Sequence, residues 1–376
     1  GTARAGVKLA IVAGEASGDL HASEVVRELK RLDPKLETFG IGGDLLASEG
    51  MRVLHHAREM GIVGLFNVLR HLRFFRRVLD EMAETIAREK PDAVMLVDYP
   101  DFNLRLAKRC KALGLRVIYY ISPQVWAWRR GRVKQIAKVV DRMLVIFPFE
   151  EDFYREAKVP VTYVGHPLID EMAVRRTPLA GKKTANGQQP TAIALLPGSR
   201  RHEVRALLPP MLDAISILEN VDAFIIQAPT ISSHELLAVM QQSRTFVRIV
   251  PHDRGEALSQ ADVALSSSGT ATLECAIAGV PVVVMYRLSS LTHWLAQRLV
   301  TLRHFSLVNI VAGKNIVPEL LQADVNGIRI AKEVRRLVEP EENARVRREL
   351  AEVTRKLGAP GASRRAAEAI MSSVTA

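Results

Sequence analysis

Cysteines and metal-binding patterns are scarce in this sequence. Its 376 residues include only two cysteines, Cys110 and Cys275, which lie far apart in the chain. No Cys-x-x-Cys pair occurs, so the sequence offers neither a disulfide framework nor a cysteine metal site, and a reducing compartment is favoured. An Asp-x-Asp pair is also missing, so a nucleotide-sugar metal clamp of that type has no ligands. We therefore expect no metal and no other cofactor.

Acidic residues are outnumbered by basic residues in this sequence. Lys and Arg number 52 against 41 Asp and Glu, which gives a net charge of +11. This surplus of basic residues indicates an anionic partner, unless it serves solubility alone.

One long stretch, 263–286, has the low charge of a membrane span. It carries a single charge, Glu274, but it also holds Pro281, three serines and two threonines. It therefore predicts strand, helix and strand, and the start of the chain predicts a first strand, not a signal peptide.

Short apolar runs alternate with helical patterns along the chain. This alternation is typical of a parallel, doubly wound sheet with helices on both faces. It stops in a polar segment rich in Gly, Pro, Lys and Gln and then restarts. We predict an α/β protein of two Rossmann-like domains facing across a cleft: domains 1–174 and 192–340, a linker at 175–191 and a helical segment at 341–376. The predicted strands lie in 8–14, 38–43, 93–100, 116–123, 142–148, 161–167, 192–200, 223–229, 246–251, 262–270 and 280–286.

Ligands of open α/β sheets bind beyond the carboxyl ends of the strands, so polar residues there are the first candidates. In "AGEASGD" (13–19) the glycines let the backbone approach a ligand, and the helix that follows favours an anion. The two carboxylates suit sugar hydroxyls better than phosphate; the alternative is an ordinary strand-to-helix turn. The candidates here are Gly14, Glu15, Ser17, Gly18 and Asp19.

A second strand end, "VDYPDFN" (97–103), holds two carboxylates. A carboxylate between buried wall and open cleft can have a raised pKa and act as a general base. We assign that role to Asp98 and expect Asp101 to cap the next helix. Nearby, "ISPQVWAWRRGR" (121–132) places Trp126 and Arg129 in a predicted loop. Either the loop is plain packing with solvated charge, or it forms a wall for an anionic, amphipathic substrate.

Two strand ends in the second domain predict a nucleotide site. In "LPGSRRHEV" (196–204), Ser199 is expected to cap a helix that begins near Arg200, and an arginine beside a helix N-terminus binds phosphate. In "SSSGTATLE" (266–274), a glycine and serines precede a helix on which Glu274 lies one turn after Thr270. A diphosphate bound at the N-terminus of this helix and a ribose bound by the Glu274 carboxylate would account for both the glycine and serines and the carboxylate. The predicted contacts are Gly198, Ser199, Arg200, Ser268, Gly269, Thr270 and Glu274.

Taken together, the motifs "VAGEASGD", "DYPDFN", "SPQVWAWR", "VGHP", "LPGSR", "SGTATLE" and "SLVNIVAG" resemble the bacterial lipid-A-disaccharide synthase family, and the resemblance covers essentially the whole chain. It implies the GT-B glycosyltransferase fold, with Asp98 as the base and Arg200 and Glu274 near the nucleotide. His166 and Asn309 join Trp126 and Arg129 as expected substrate or cleft residues. The sequence departs from many relatives at His21, where a small or apolar residue is usual, close to the expected acceptor contacts.

The resemblance also implies a reaction. UDP-2,3-diacylglucosamine and 2,3-diacylglucosamine 1-phosphate would be joined with inversion into the β-1,6 disaccharide 1-phosphate, releasing UDP. The resemblance implies a cytoplasmic location, peripheral on the inner membrane, with no nucleic-acid partner, and a homodimer is left open. Two alternatives remain: another GT-B enzyme on UDP-sugars, such as the peptidoglycan N-acetylglucosaminyl transferase or an epimerase, and a non-catalytic protein that binds membranes or nucleic acid.

The segment 64–77 is both apolar and basic. On a helical projection of 65–82, most apolar side chains share one face. Arg70, Arg73 and Arg77 lie opposite, with Arg76 at the boundary, and Phe66 and Phe74 point into this arginine face. An amphipathic core helix would keep that face polar. Aromatics among arginines suit a surface that meets anionic headgroups, and Leu207 and Leu208 could extend it. The predicted membrane contacts are Leu65, Phe66, Leu69, Arg70, Leu72, Arg73, Phe74, Phe75, Arg76 and Arg77.

Overall fold

A computed structural model describes residues 6–60, 68–124, 130–173, 190–251, 254–287 and 304–375. The chain divides into two compact units. The first comprises Gly1–Pro167 together with Gly358–Ala376, and the second comprises Leu168–Leu357. Among the described residues, no helix combines the length and the apolar character needed to cross a bilayer.

The first unit is built on a parallel sheet, which in the described part of the chain has seven strands in the order β3-β2-β1-β4-β5-β6-β7. Its strands are β1 (Lys8–Ala13), β2 (Glu37–Gly42), β3 (Arg52–His56), β4 (Ala93–Val97), β5 (Val117–Tyr120), β6 (Arg142–Val145) and β7 (Val161–Tyr163). Its helices, numbered along the whole chain, are α1 (Ala16–Leu32), α2 (Asp44–Ser48), α3 (Ala57–Met60), α4 (Val68–Glu89), α5 (Pro100–Ala112), α6 (Val133–Val139), α7 (Pro148–Glu156) and α16 (Ala362–Thr375).

The second unit repeats this design. Its described residues form a parallel sheet of six strands in the order β10-β9-β8-β11-β12-β13. The strands are β8 (Thr191–Leu196), β9 (Val221–Gln227), β10 (Arg248–Pro251), β11 (Val263–Ser267), β12 (Val282–Tyr286) and β13 (Glu319–Leu321). The helices are α8 (Leu168–Ala173), α9 (Arg201–Ile217), α10 (Ser233–Ser243), α11 (Arg254–Ser259), α12 (Thr270–Ala278), α13 (Leu307–Ala312), α14 (Gly327–Val338) and α15 (Pro340–Lys356).

The central strands explain why these segments fold as parallel sheets. All five residues of β4 and all five of β11 are buried, as expected for strands covered by helices on both faces. The wholly apolar run AVMLV of β4 fits that environment, and β11 (VALSS) begins with apolar residues and ends in two buried serines. The prediction of two α/β domains with parallel sheets is confirmed.

The edges of the sheets and the end of the chain differ from the sequence prediction. Neither β3 nor β13 was predicted, because β3 is half-buried and polar and β13 has only three residues. The segment 341–376 was predicted as one helical unit, but α15 belongs to the second unit and α16 to the first. Arg142 on β6 donates hydrogen bonds to the carbonyl of Ala369 and to Ser372, which ties α16 to the first sheet. The predicted linker lies almost wholly outside the described residues.

Candidate active site

The first candidate site lies where the strand order of the first sheet reverses. Strands β1 and β4 are neighbours, with Ala13 paired to Val97, but the chain leaves β1 toward β2 and leaves β4 toward β5 on the other side. Such a switch point opens a crevice at the carboxyl ends of the two strands. The residues that follow these strands are Gly14 and Glu15 after β1 and Asp98 and Tyr99 after β4. The two predicted motifs of the first domain are therefore brought together.

Asp98 has the electrostatic character that a general base needs. Its side chain is half-buried. Burial raises the pKa of its carboxyl to about 6, and the negative charge of Glu15 raises it further, against smaller opposing effects from the Tyr99 backbone and His21. A carboxylate with this pKa is mostly ionised at neutral pH yet more basic than an ordinary aspartate.

Gly14 is required by a close approach of Tyr99. A Cβ at Gly14 would lie 2.5 Å from the Tyr99 ring, so any side chain there would displace the residue after Asp98. The Tyr99 hydroxyl donates to the carbonyl of Met60 at 3.3 Å. Glu15 occupies the N-cap position of α1, and Ser17 is exposed in its first turn, so both stay available to a ligand. Gly18 is buried in the same first turn.

Asp19 does not face the site, contrary to the sequence prediction. Its buried carboxylate accepts hydrogen bonds from the backbone N–H groups of Gly43 (2.7 Å), Leu45 (3.1 Å) and Leu46 (3.1 Å). These groups begin α2, so Asp19 caps that helix from a distance in sequence. The expected cap at Asp101 is also wrong. Tyr99 is the N-cap of α5, with Pro100 at its first position, and Asp101 is an exposed residue in the first turn.

The second candidate site is a cavity of about 240 Å³ where the second sheet changes direction. Strands β8 and β11 are neighbours there, with Ser266 paired to Leu196, and the "LPGSR" and "SSSGT" turns follow them. Glycines give this cavity its backbone shape, since Gly198 has φ 121° and Gly269 has φ 138°. Its lining residues are Leu196, Gly198, Ser199, Arg200, Glu203, Ile226, Ala228, Ser267, Ser268, Gly269, Thr270 and Ala271. All predicted nucleotide contacts except Glu274 are among them.

Two details of this cavity correct the prediction. Arg200, not Ser199, is the N-cap of α9. Glu274 is buried on α12 and is absent from the cavity lining. The sequence reasoning also missed Glu203, whose carboxylate accepts from the backbone N–H groups of Ser199 and Arg200 and pairs with the Arg200 guanidinium at 3.0 Å. Its position three residues after Arg200 is the spacing of a capping box and could have identified it.

Asn309 was predicted to line a cleft, but it lies fully buried within the second unit. Its side-chain oxygen accepts from the backbone N–H groups of Ile316 (2.8 Å) and Val317 (3.1 Å), and its nitrogen donates to Glu319 at 2.9 Å. The Asn309 amide therefore holds in place, by hydrogen bonds, the segment that leads into β13.

His166 is also buried, against the ring of Phe147, and burial lowers the pKa of its imidazole to about 3. Trp126 and Arg129 lie outside the described residues.

Helix α4 carries the described part of the predicted membrane surface. Arg73, Arg76 and Arg77 are exposed, as the helical projection predicts for Arg73 and Arg77. Phe74 is not the exposed aromatic that was expected, because it is half-buried against the core and the Arg77 guanidinium lies 5.5 Å from its ring centre. Phe75 contacts Phe102 edge to face, with 5.1 Å between the ring centres.

The other residues predicted to contact the membrane give no support to this surface. Leu207 and Leu208 are buried in α9. Leu65 and Phe66 lie outside the described residues, as do the side chains of Leu69, Arg70 and Leu72.

Comparison with known structures supports the class that these features define. Over 99% of its length the chain matches a kitacinnamycin glycotransferase (TM-score 0.64, 17% identity, 100% of that chain). It also matches a putative UDP-N-acetylglucosamine 2-epimerase from Listeria monocytogenes (TM-score 0.65, 14% identity, 97% of that chain), with 99% of this chain covered. Two parallel α/β units with candidate residues at their switch points are the design of GT-B glycosyltransferases and related epimerases.

Sequence comparison then narrows the class to one family. A family model described as lipid-A-disaccharide synthetase matches residues 9–374. A lipid-A-disaccharide synthase of Myxococcus xanthus is 43% identical over 370 residues, and one of Anaeromyxobacter dehalogenans is 45% identical over 376, with 97% of each chain covered in both cases. The chain belongs to the lipid-A-disaccharide synthetase family. The resemblance inferred from the motifs is confirmed.

Proposed function

We propose that this chain, a hexosyltransferase of lipid A disaccharide synthesis, joins UDP-2,3-diacylglucosamine to 2,3-diacylglucosamine 1-phosphate. The products are the β-1,6-linked disaccharide 1-phosphate and UDP. The observation that carries the mechanism is the half-buried Asp98 carboxylate at the first switch point, with its pKa of about 6. The cavity at the second switch point supports the nucleotide side of the reaction.

In this mechanism Asp98 accepts the proton of the acceptor 6-hydroxyl as that oxygen attacks the anomeric carbon. Because one displacement inverts the configuration, a single base is enough, and a positioned base contributes roughly 10²–10⁴ in rate. UDP leaves as an anion. In the proposed reaction, the N-terminus of α12, which begins at Thr270, and the guanidinium of Arg200 stabilise the departing diphosphate.

The base is tested with purified protein and both lipid substrates, by following UDP release and disaccharide formation. Asp98→Asn keeps the shape of the side chain but removes the base, so turnover should fall by about 10²–10⁴ while UDP binding is retained. Asp101→Asn, which alters an exposed carboxylate three residues away, is the matched control. Near-normal turnover in Asp98→Asn would contradict the assignment, and efficient use of an acceptor without acyl chains would favour a different UDP-sugar enzyme.

The nucleotide side is tested at Arg200. Arg200→Ala should weaken UDP binding and lower the rate, because the variant loses the side-chain charge that lines the cavity. Arg155→Ala, which removes an exposed arginine of the first unit, should leave both unchanged. Unaltered UDP affinity in Arg200→Ala would move Arg200 to the acceptor side.

We further propose that α4 docks the protein on an anionic membrane, since both proposed substrates are lipids. The exposed arginines Arg73, Arg76 and Arg77 carry this proposal. Phe75 contributes to the core through Phe102, so aromatic substitutions would confuse docking with folding. Replacing the three arginines with Gln should weaken binding to vesicles containing phosphatidylglycerol by up to about 3 kcal/mol, because each cation near such a surface contributes about 1 kcal/mol.

The control for docking has the same change in net charge. Arg155, Arg355 and Arg364 are exposed elsewhere on the molecule, and their replacement with Gln should leave vesicle binding nearly unchanged. Equal losses in the two triple variants would mean that net charge alone drives the association. Full vesicle binding by the α4 variant would rule out this surface.

A further inference from the structure

Asp98 and Tyr99 have an unusual backbone. Both adopt left-handed conformations, with φ of 45° and 47°. For a residue other than glycine this conformation costs roughly 1–2 kcal/mol. Such strain persists only where the surrounding structure enforces it, and it concentrates at functional sites. Two successive residues of this kind at the end of β4 indicate that the direction of the Asp98 side chain is imposed by neighbouring groups.

The groups that impose it can be identified. The Asp98 N–H donates to the carbonyl of Tyr120 at 3.0 Å. The Asp98 carbonyl oxygen accepts two side-chain hydrogen bonds, from the Tyr119 hydroxyl at 2.5 Å and from the Asn103 side-chain nitrogen at 2.7 Å. That nitrogen also donates to the carbonyl of Val97 at 3.2 Å. Tyr119 and Asn103 are fully buried, so losing these bonds would leave a buried polar group without its partner, which is costly.

We propose that Tyr119 and Asn103 are positioning residues that hold the Asp98 backbone left-handed and thereby aim its carboxylate. The inference rests on the proposed function, in which Asp98 is the base. A phenylalanine would fill the space of the Tyr119 ring equally well, so packing alone does not require the hydroxyl. The Tyr119 hydroxyl and the Asn103 amide both donate to the carbonyl oxygen of Asp98. Asp98 is also the residue whose side chain must point at the acceptor in the proposed reaction.

The test is Tyr119→Phe, which removes one oxygen atom. Small displacements of a reacting group can cost about 100-fold in rate, so kcat should fall 10- to 100-fold while KM for both substrates stays within about twofold. Tyr154→Phe is the matched control. Tyr154 is equally buried in the same unit, but its hydroxyl pairs with Ser122 at 2.6 Å. It should lose similar thermal stability and keep its kcat within about twofold.

Two further readouts separate positioning from a structural role. Tyr119→Phe lets the Asp98 carboxylate relax toward water, so the acid limb of the kcat–pH profile should move to lower pH, whereas Tyr154→Phe should not shift it. In an Asp98→Asn background, Tyr119→Phe should cost no further residual turnover, since it acts through a base that is already absent. If Tyr119→Phe does not fold, Asn103→Ala is judged by the same criteria.

The outcomes distinguish this inference from the proposed function. Near-normal turnover of Asp98→Asn would overturn the base itself. An inactive Asp98→Asn together with a Tyr119→Phe that matches Tyr154→Phe in kcat and pH profile would overturn only the positioning role. An additive loss in the double variant would likewise show that Tyr119 acts independently of Asp98.

Discussion

At the scale of single residues, the raised pKa that suits Asp98 to its proposed role as a base comes from surroundings that disfavour its charged form. Its pKa is raised from 3.8 to about 6, first by burial and then by the charge of Glu15. The folded protein therefore binds this proton more tightly than the unfolded chain does. The contribution of this one carboxyl to the free energy of unfolding is fully present below about pH 4, is lost as the pH rises through about 6, and stays absent above that. The proposed base thus costs the protein stability at the pH where it works.

This cost predicts that Asp98→Asn stabilises the protein at neutral pH. A rise in the pKa from 3.8 to about 6 corresponds to about 3 kcal/mol at most, so the free energy of unfolding of the first unit should increase by up to that amount at pH 8. The gain should vanish near pH 4, where the wild-type carboxyl is protonated. Urea unfolding at the two pH values measures the difference. Asp101→Asn should change stability little at either pH, and an equal gain in that variant would contradict the explanation.

At the scale of elements, the strand ends were predictable and the helix caps were not. Short apolar runs marked the strands, and parallel strands bring their carboxyl ends to one edge, so Asp98, Gly198 and Gly269 could be placed from the sequence. Asp19 was misassigned because its partners begin 24 residues later, at Gly43, and no local spacing signals such a contact. Asn309 was misassigned for a related reason. A polar residue within a motif can hold a loop in place by hydrogen bonds to its backbone, and the sequence does not distinguish this role from binding a ligand.

The reassignment of Asp19 predicts a loss of stability, not of substrate affinity. Asp19→Ala would leave the N–H groups at the start of α2 without their acceptor, at a cost of about 2 kcal/mol in the free energy of unfolding. Asp44→Ala, which removes an exposed carboxylate from the same helix, should cost less than about 1 kcal/mol. Thermal unfolding and KM are the measurements. A raised KM with unchanged stability would instead restore the substrate contact predicted from the sequence.

At the scale of the whole molecule, the end of the chain is divided between two folding units. Helices α15 and α16 are separated by only a few residues, and both are amphipathic, although α15 carries many more charged residues than α16. Helix α15 packs against α12 and α13 in the second unit, whereas α16 packs against α1 and β6 in the first. Arg365 on α16 donates to the carbonyl of Val164 at 2.7 Å. Helical periodicity shows that a face is buried but not which sheet covers it, so this division could not be read from the sequence.

The division predicts where damage to each helix will be felt. Ile370 on α16 and Leu350 on α15 are both fully buried, and truncating either to Ala should cost about 2–5 kcal/mol. Amide hydrogen exchange shows where this stability is lost, because backbone amides exchange when the unit to which they belong unfolds. Ile370→Ala should accelerate exchange in α1 and β6 and leave α12 protected, while Leu350→Ala should do the reverse. If both substitutions accelerated exchange in α12 and left α1 unchanged, the last two helices would form the single terminal segment that the sequence predicted.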